Sequence, residues 1–124
     1  MIRTSYLANV RKIENEFDYF IYIIRKKPET LKVDDKHIWF SALGPSDWLL
    51  KGYKNKMITF QDFTDGYLRE LKLYGIDQID WIVKKHKVGK RICLVCYEKD
   101  YNICHRSILS NVIKDIINDN VFEF

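Results

Sequence analysis

A carboxylate, a thiol, an imidazole and a guanidinium occur within nine residues near the end of the chain, in the segment RICLVCYEKDYNICHRSIL at positions 91–109. They belong to Glu98, Cys104, His105 and Arg106. The apolar run before Glu98 is typical of a strand, and an amphipathic helix is predicted to begin near Cys104. A turn from a strand into a helix presents backbone N–H groups to an anion. If the protein has a site, this segment is predicted to be its centre.

The start of the predicted helix supports two different interpretations of its side chains. Asn102 is a suitable N-cap, which would place Cys104 and His105 in the first turn, where the helix dipole lowers a thiol pKa and attracts phosphate. Arg106 beside them can hold a phosphate or a carboxylate through two hydrogen bonds. In the alternative interpretation, Cys104 packs under the helix and His105 caps a neighbouring carbonyl. Arg106 then pairs with Glu98, and the residues alone leave both interpretations open.

Glu98 stands where the predicted strand ends. A carboxylate there can accept hydrogen bonds from ribose hydroxyls, act as a general base, or orient Arg106 or His105. It can equally form a structural salt bridge, since ion-pair networks occur in many folds without a catalytic role. The candidate catalytic residues are therefore Glu98, Cys104 and His105, and Arg106 is a candidate ligand-binding residue.

Four residues match a zinc ligand set by residue type alone: Cys93, Cys96, Cys104 and His105. Cys93 and Cys96 are three positions apart on a predicted strand, so their side chains point to opposite faces. A structural zinc site usually takes its paired cysteines from a turn. The sequence therefore predicts no metal site and no cofactor, and Cys93 is expected to be a small buried apolar residue.

Three residues outside this segment are further ligand-binding candidates: Tyr67, Trp48 and Lys54. Tyr67 belongs to an aromatic stripe on a predicted helix, so its ring is expected in the core, where a buried hydroxyl needs a partner. Trp48 and Lys54 follow the break at Gly44–Pro45, where a base or a sugar could stack. Packing of Trp48 against its own helix explains that residue almost as well.

The segment Arg91–Tyr97 is apolar on both faces, which indicates a central strand of a parallel or mixed sheet covered by helices. Further strands are predicted at residues 1–6, Phe17–Ile24 and Val121–Phe124. The predicted fold class is α/β, a small three-layer sandwich with a mostly parallel central sheet and helices on both faces, formed by residues 1–124 as a single domain. Ligands of such sheets bind beyond the carboxyl ends of the strands, where Glu98 to Arg106 must lie.

Helix signals separate the predicted strands. Gly75 is predicted to stop a helix that begins after Thr59, and Asp77 is predicted to cap the next helix. A third helix is predicted from about Cys104. One or two helical turns are predicted at Pro45–Tyr53, with proline in the first position.

Composition limits the class of protein and its partners. Of 124 residues 47% are apolar, which argues against disorder, and no apolar run approaches the ~20 residues of a membrane span. The first residues lack the apolar region of a signal peptide, and the odd count of three cysteines indicates reduced thiols, so the predicted location is cytoplasmic. The net charge of +4 favours an anionic ligand, but the pI of about 8.9 falls short of the value above about 9 expected of a dedicated nucleic-acid domain.

The segment CYEKDYNICHRSIL resembles the signature of the family known as domain of unknown function 488. That signature consists of Cys-x-Glu, a short loop and Cys-His-Arg, and it falls here on Cys96, Glu98 and Cys104–Arg106. The similarity extends to most of the chain, and Tyr67 stands where the family carries a helical tyrosine. The other similar segments are Thr4–Ala8, Leu43–Lys54 and Phe63–Leu71.

The chain departs from the family pattern in two places. Gly44 stands where alanine is usual, a change expected to have little effect, and the stretch Lys26–Lys36 is shorter than in related sequences, which often carry a glycine-rich turn there. The resemblance implies a site for a phosphorylated or ribosyl ligand, although the family brings no established activity. The residues that it implies converge on this pocket are Ser5, Tyr67, Glu98, Cys104, His105 and Arg106.

These observations predict a small-ligand protein with an anion-binding pocket at a strand–loop–helix turn, which binds or processes a nucleotide-like or phosphorylated metabolite. As an enzyme it would be a hydrolase or a transferase, with Glu98 as a base and Cys104 or His105 in proton transfer or nucleophilic attack. The alternative is a non-catalytic module that binds or sequesters a nucleotide-derived ligand. A nucleic-acid-associated factor ranks third. No membrane partner is predicted, and the oligomeric state stays open.

Overall fold

A computed structural model describes residues 1–97 and 104–123. The strands are β1 (Ile2–Tyr6), β2 (Tyr19–Tyr22), β3 (His37–Trp39), β4 (Ile92–Cys96) and β5 (Phe122–Glu123). They form one sheet in the order β3-β2-β4-β1-β5, and all of its neighbouring strands are parallel. The α/β fold and the parallel sheet predicted from the sequence are confirmed, including the short edge strand at the end of the chain.

β4 is the central strand, with β2 on one side and β1 on the other. Its five residues are all buried. Because side chains of a strand alternate in direction, Leu94 and Cys96 point to one face of the sheet and Cys93 points to the other. The parallel pairing with β1 places Thr4 on the face of Leu94 and Ser5 on the opposite face. The prediction of a strand buried on both faces is confirmed.

The part of the chain that the structure describes contains four α-helices: α1 (Asp47–Lys54), α2 (Phe60–Glu70), α3 (Ile76–Lys87) and α4 (His105–Ile117). α4 lies on the face of Cys96, which Arg106 contacts, and α2 and α3 pack against α4. The opposite face is covered by the 3-10 segment Leu7–Glu16, whose Asn9 donates a hydrogen bond to Ser5 Oγ. The result is a three-layer sandwich. Among the described residues, no helix is both long and apolar enough to cross a lipid bilayer.

The predicted helix stop at Gly75 and the predicted cap at Asp77 are wrong. A π-helical turn, Leu71–Gly75, joins α2 directly to α3, and the backbone stays helical through it. Gly75 allows close packing at this turn, because a Cβ atom there would lie 3.1 Å from Leu43 Cδ2 and 3.3 Å from Leu71 Cδ2. The glycine therefore marks a tight tertiary contact, which local sequence rules mistake for a helix end.

The chain leaves the neighbouring strands β1 and β4 toward opposite faces of the sheet. β1 continues into the 3-10 segment, whereas β4 is followed by α4 on the other face. Parallel strands whose connections diverge in this way leave a crevice at their carboxyl ends, where ligands of α/β sheets bind. A candidate site is therefore expected at the carboxyl edge of the sheet.

Candidate functional site

A cleft of about 340 Å³ opens at the carboxyl edge of the sheet. One wall is α1, and the floor includes His105 at the start of α4. Apolar side chains line much of the remaining surface: Ile24, Pro45, Leu50 and Tyr97. The volume lies at the lower end of the range of about 300–1,000 Å³ that small-molecule sites occupy.

Three cationic side chains and one carboxylate also line the cleft, those of Arg25, Lys26, Lys54 and Asp47. Lys26 Nζ lies 3.1 Å from Asp47 Oδ2 at the exposed rim. Arg25 Nη2 donates to the Gly44 carbonyl at 3.0 Å, while its buried Nε has no hydrogen-bond partner in the described part of the chain. A second carboxylate, that of Glu70, lies 3.9 Å from Arg25 Nη2.

The residues before α1 hold that helix against the cleft. Ser46 is the N-cap of α1, and its Oγ accepts a hydrogen bond from the Leu49 N–H. The Ser46 N–H donates to Glu70 Oε1 at 2.9 Å, which ties the start of α1 to the end of α2. The cap and this tether fix the position of the wall that carries Asp47 and Lys54.

His105 is the first residue of α4 and has an exposed fraction of 7%. Its Nε2 lies 2.5 Å from the Ile23 carbonyl oxygen, which can only accept, so Nε2 carries the hydrogen of the neutral ring. Nδ1 is then left with a lone pair, 3.7 Å from Cys104 Sγ. The backbone at the end of β2 thereby selects one tautomer of the imidazole in the floor of the cleft.

Tyr67 is completely buried on α2, as its aromatic stripe indicates. Its hydroxyl donates to the Leu43 carbonyl, and its ring packs edge-on against the His105 imidazole with 5.5 Å between ring centroids. Burial raises the pKa of Tyr67 well above its usual value. Tyr67 is therefore a neutral residue that supports His105 from behind.

Cys104 is the N-cap of α4, one position before the first helical turn in which it was predicted, and its exposed fraction is 1%. The pKa of its thiol is raised, first by the neighbouring Cys96 thiol and then by burial, against an opposing effect of His105. The prediction of a lowered thiol pKa is wrong. Removal of the thiol from water and the contact with a second thiol outweigh the helix N-terminus.

We expect iodoacetamide to alkylate Cys104 no faster than the equally buried Cys93 in the folded protein, because the thiolate is the reactive form and neither sulfur faces solvent. Mass spectrometry of peptides from a labelling time course at neutral pH measures both rates. The same labelling time course in denaturant gives the alkylation rate of fully accessible thiols. Labelling of Cys104 at that denatured rate in the native protein would contradict its burial.

Arg106 is also completely buried, with an exposed fraction of 0%. Its Nε and Nη2 donate to Glu123 Oε2 at 3.2 and 2.7 Å, and its Nη1 donates to Cys96 Sγ at 2.8 Å. Thr4 Oγ1 donates to the other carboxylate oxygen of Glu123. Arg106 thus connects α4 with β4 and β5 inside the fold, and its guanidinium does not reach the surface of the cleft.

The structure disperses part of the pocket that the resemblance implies. Ser5 lies on the opposite face of the sheet from Cys96, where its Oγ accepts a hydrogen bond from Asn9. Trp48 is 76% exposed and lies beside a separate shallow depression, whereas Lys54 lines the cleft. Glu98 lies outside the described residues.

A family model with the description "DUF488-N3a: Active DUF488-N3 subclade" matches residues 2–116. The chain belongs to the DUF488 family. The match runs from β1 through nearly all of α4, so it includes both the cleft and the Cys-His-Arg segment. No curated protein and no solved structure is significantly similar to the chain. The family membership predicted from the signature is confirmed.

The departure from the DUF488 pattern at Gly44 matters more than the sequence suggests. A Cβ atom at this position would overlap the peptide that joins Ile24 to Arg25, although the backbone at Gly44 is ordinary extended chain. The expectation that alanine and glycine are interchangeable here is wrong for this DUF488 chain. The close approach holds Arg25 against the Gly44 carbonyl beside the cleft.

Three charged residues of the cleft in this DUF488 domain are absent from the predicted site, namely Arg25, Lys26 and Asp47. A signal for the first two was present, because they follow directly after the strongly apolar segment Phe17–Ile24. The rule that ligands bind beyond the carboxyl ends of parallel strands applies to this strand as much as to β4.

Proposed function

We propose that the cleft of this DUF488 domain binds a small phosphorylated or nucleotide-like metabolite. The observation that carries the proposal is the convergence of Arg25, Lys26 and Lys54 on one cleft at the carboxyl edge of a parallel sheet. Parallel α/β sheets bind their ligands at this edge, and clustered positive charge attracts an anion. Among the described residues, two carboxylates lie near these three cations: Asp47 pairs with Lys26, and Glu70 lies 3.9 Å from Arg25.

Arg25 is the best placed of these residues to hold a phosphate. The Gly44 carbonyl accepts from its Nη2, and Glu70 Oε1 lies 3.9 Å from the same nitrogen, so one end of the guanidinium is held in place. A guanidinium can donate two parallel hydrogen bonds to a phosphate, and an arginine that is already positioned loses less conformational freedom on binding.

The other walls suit the uncharged part of such a ligand. Ile24, Pro45 and Leu50 form an apolar surface, and the half-exposed ring of Tyr97 offers a face on which a base could stack. The Asp47 carboxylate can accept hydrogen bonds from ribose hydroxyls. A base, a ribose and a phosphate thus each find a group of matching chemistry in one cleft.

Two functions are compatible with this cleft: binding of the ligand without any reaction, and catalytic turnover of the ligand. Burial of Cys104 favours binding alone, because a nucleophile must reach the atom that it attacks. The word "active" in the description of the family model favours turnover, in which case the chain is a hydrolase or a transferase. His105 is then the candidate for proton transfer, and it would act through Nδ1, since the Ile23 carbonyl holds Nε2. We propose binding as the function and turnover as the second candidate.

Replacement of Arg25 or Lys54 with glutamine is expected to weaken the binding of AMP by about tenfold or more. The expectation follows from the loss of a charge-assisted contact, which contributes about 1.5–3 kcal/mol. Isothermal titration calorimetry at constant ionic strength measures the dissociation constants, with inorganic phosphate as a second probe for the phosphate contact alone.

The matched control is Lys51→Gln, which removes an exposed lysine from the same helix, outside the lining of the cleft. Its affinity for AMP should equal that of the wild type. The proposal fails if neither AMP nor phosphate binds the wild type, or if Lys51→Gln weakens binding as much as the cleft variants. Binding of an oligonucleotide that falls steeply with salt would instead support the nucleic-acid alternative.

A further inference from the structure

Three potential metal ligands meet beneath the cleft, and the proposed binding of a phosphorylated ligand does not use two of them. Cys96 ends β4, Cys104 is the N-cap of α4, and His105 follows it. All three are buried, and their ligand atoms lie within 4.8 Å of one another. Buried thiols and an imidazole brought this close from separate elements are a ligand set for a thiophilic cation.

The spacing of these atoms agrees with tetrahedral coordination. Zinc–sulfur bonds of about 2.3 Å and zinc–nitrogen bonds of about 2.0–2.1 Å place neighbouring ligand atoms roughly 3.5–3.8 Å apart. Cys104 Sγ and His105 Nδ1 are 3.7 Å apart. With every pair of ligand atoms inside 4.8 Å, small side-chain adjustments bring the three onto one ion.

The surroundings of the three ligands are those that a metal site requires. The Ile23 carbonyl accepts from His105 Nε2, which fixes the ring and turns the Nδ1 lone pair toward Cys104. Arg106 Nη1 donates to Cys96 Sγ at 2.8 Å, a contact that stabilises negative charge on the sulfur. An outer shell of this kind orients metal ligands and favours the deprotonated sulfur that binds metal.

We propose that Cys96 Sγ, Cys104 Sγ and His105 Nδ1 bind one Zn²⁺ ion. Each thiol releases its proton to solvent as its zinc–sulfur bond forms, and the neutral imidazole donates its Nδ1 lone pair. Three protein ligands leave a fourth tetrahedral position for water or another small ligand. Cys93 takes no part, because it points to the other face of the sheet.

This proposal replaces the expectation of no metal, and the reason for the change is specific. Strand alternation separates Cys93 from Cys96, whereas Cys104 and His105 lie close to Cys96 in the folded chain although they follow it in sequence. The zinc site shares only His105 with the lining of the cleft, and the proposed contacts to phosphate are made by Arg25, Lys26 and Lys54. AMP titration and zinc binding therefore fail or succeed separately.

The test measures zinc in the full chain after reduction, incubation with Zn²⁺ and removal of unbound metal. We expect one zinc per chain by elemental analysis. Co²⁺ in place of Zn²⁺ should give the intense near-ultraviolet absorption of thiolate-to-cobalt charge transfer and the visible bands of a tetrahedral ion. Cys96→Ser and Cys104→Ser should each weaken zinc binding by more than about a hundredfold, since even loss of an outer-shell partner costs ten- to a hundredfold.

Cys93→Ser is the matched control, because it removes a third buried cysteine and should keep full zinc binding. Circular dichroism of each variant without metal establishes that it is folded, and His105→Ala provides a ligand variant that leaves every sulfur in place. The proposal is overturned if the reduced wild type retains no zinc, or if Cys93→Ser loses zinc as completely as Cys96→Ser. A Cys96–Cys104 disulfide in air together with no zinc uptake after reduction also overturns it and assigns the pair to redox chemistry.

Discussion

Replacement of Arg106 with alanine is expected to lower the free energy of unfolding by about 2–3 kcal/mol, because it removes the charge-assisted hydrogen bonds to Glu123, a carboxylate that is itself 34% exposed. The guanidinium is fully enclosed and holds the carboxylate of Glu123 and the sulfur of Cys96. Its removal breaks the polar links from α4 to Cys96 on β4 and Glu123 on β5 and leaves Glu123 without this cation. Chemical denaturation followed by circular dichroism measures the loss.

Two further variants make the Arg106 test specific. Arg69→Ala removes an exposed arginine from α2 and should change stability by less than about 0.5 kcal/mol. Arg106→Lys keeps the charge, but an ammonium group cannot reproduce the planar set of hydrogen bonds that the guanidinium makes to Glu123 and Cys96. An intermediate loss of stability is therefore expected. If Arg106→Ala were as stable as the wild type and only lost AMP binding, Arg106 would be the anion ligand that the sequence suggests.

Gly44→Ala is the second substitution with a large expected effect. Its methyl group would overlap the backbone between Ile24 and Arg25, so one of the two backbone segments must shift to admit it. Overpacking of this kind costs about 1–3 kcal/mol, sometimes more. We expect that loss of stability in urea denaturation, together with weaker AMP binding, because Arg25 would shift from the Gly44 carbonyl.

Gly52→Ala is the control for this substitution, since it adds the same methyl group within α1. The nearest atom to a Cβ at Gly52 is Ile58 Cδ1 at 3.5 Å, an ordinary van der Waals contact. Alanine in place of a helical glycine should raise stability by about 0.5–1 kcal/mol. If the urea denaturation curve of Gly44→Ala coincided with that of the wild type, the close approach between Gly44 and Ile24 would not restrict the residue at position 44.

The sheet was predictable because the information lies within each segment. Ile92–Cys96 alternates between two apolar faces, and that pattern alone identifies a central strand. The stripe of apolar residues on α4 similarly predicts which side of that helix faces the core. By contrast, Gly75 carries a local stop signal, but its packing against Leu43 belongs to the tertiary structure.

The environments of Cys104 and Arg106 could not be predicted because they depend on distant parts of the chain. Cys104 is next to Cys96 across a loop, and that contact together with burial reverses the expected direction of its pKa shift. Arg106 is neutralised by Glu123, a residue of an edge strand with no recognisable motif around it. Residue type and local spacing indicate which reactions and contacts a side chain is capable of. Whether it can reach a ligand depends on its burial, which the tertiary structure determines.

The location of bound AMP tests the central claim most directly. In a titration of the ¹⁵N-labelled protein followed by two-dimensional NMR, the account predicts the largest chemical-shift changes at the backbone amides of Arg25, Lys26, Asp47, Leu50 and Tyr97, around the cleft. The spectrum of Lys51→Gln should respond in the same way. A second groove lies between α2, α3 and α4 and is lined by apolar residues that include Leu68, Ile79, Val83 and Val112. Shift changes concentrated at that groove, or spread evenly over the surface, would contradict the account and remove the cleft as the binding site.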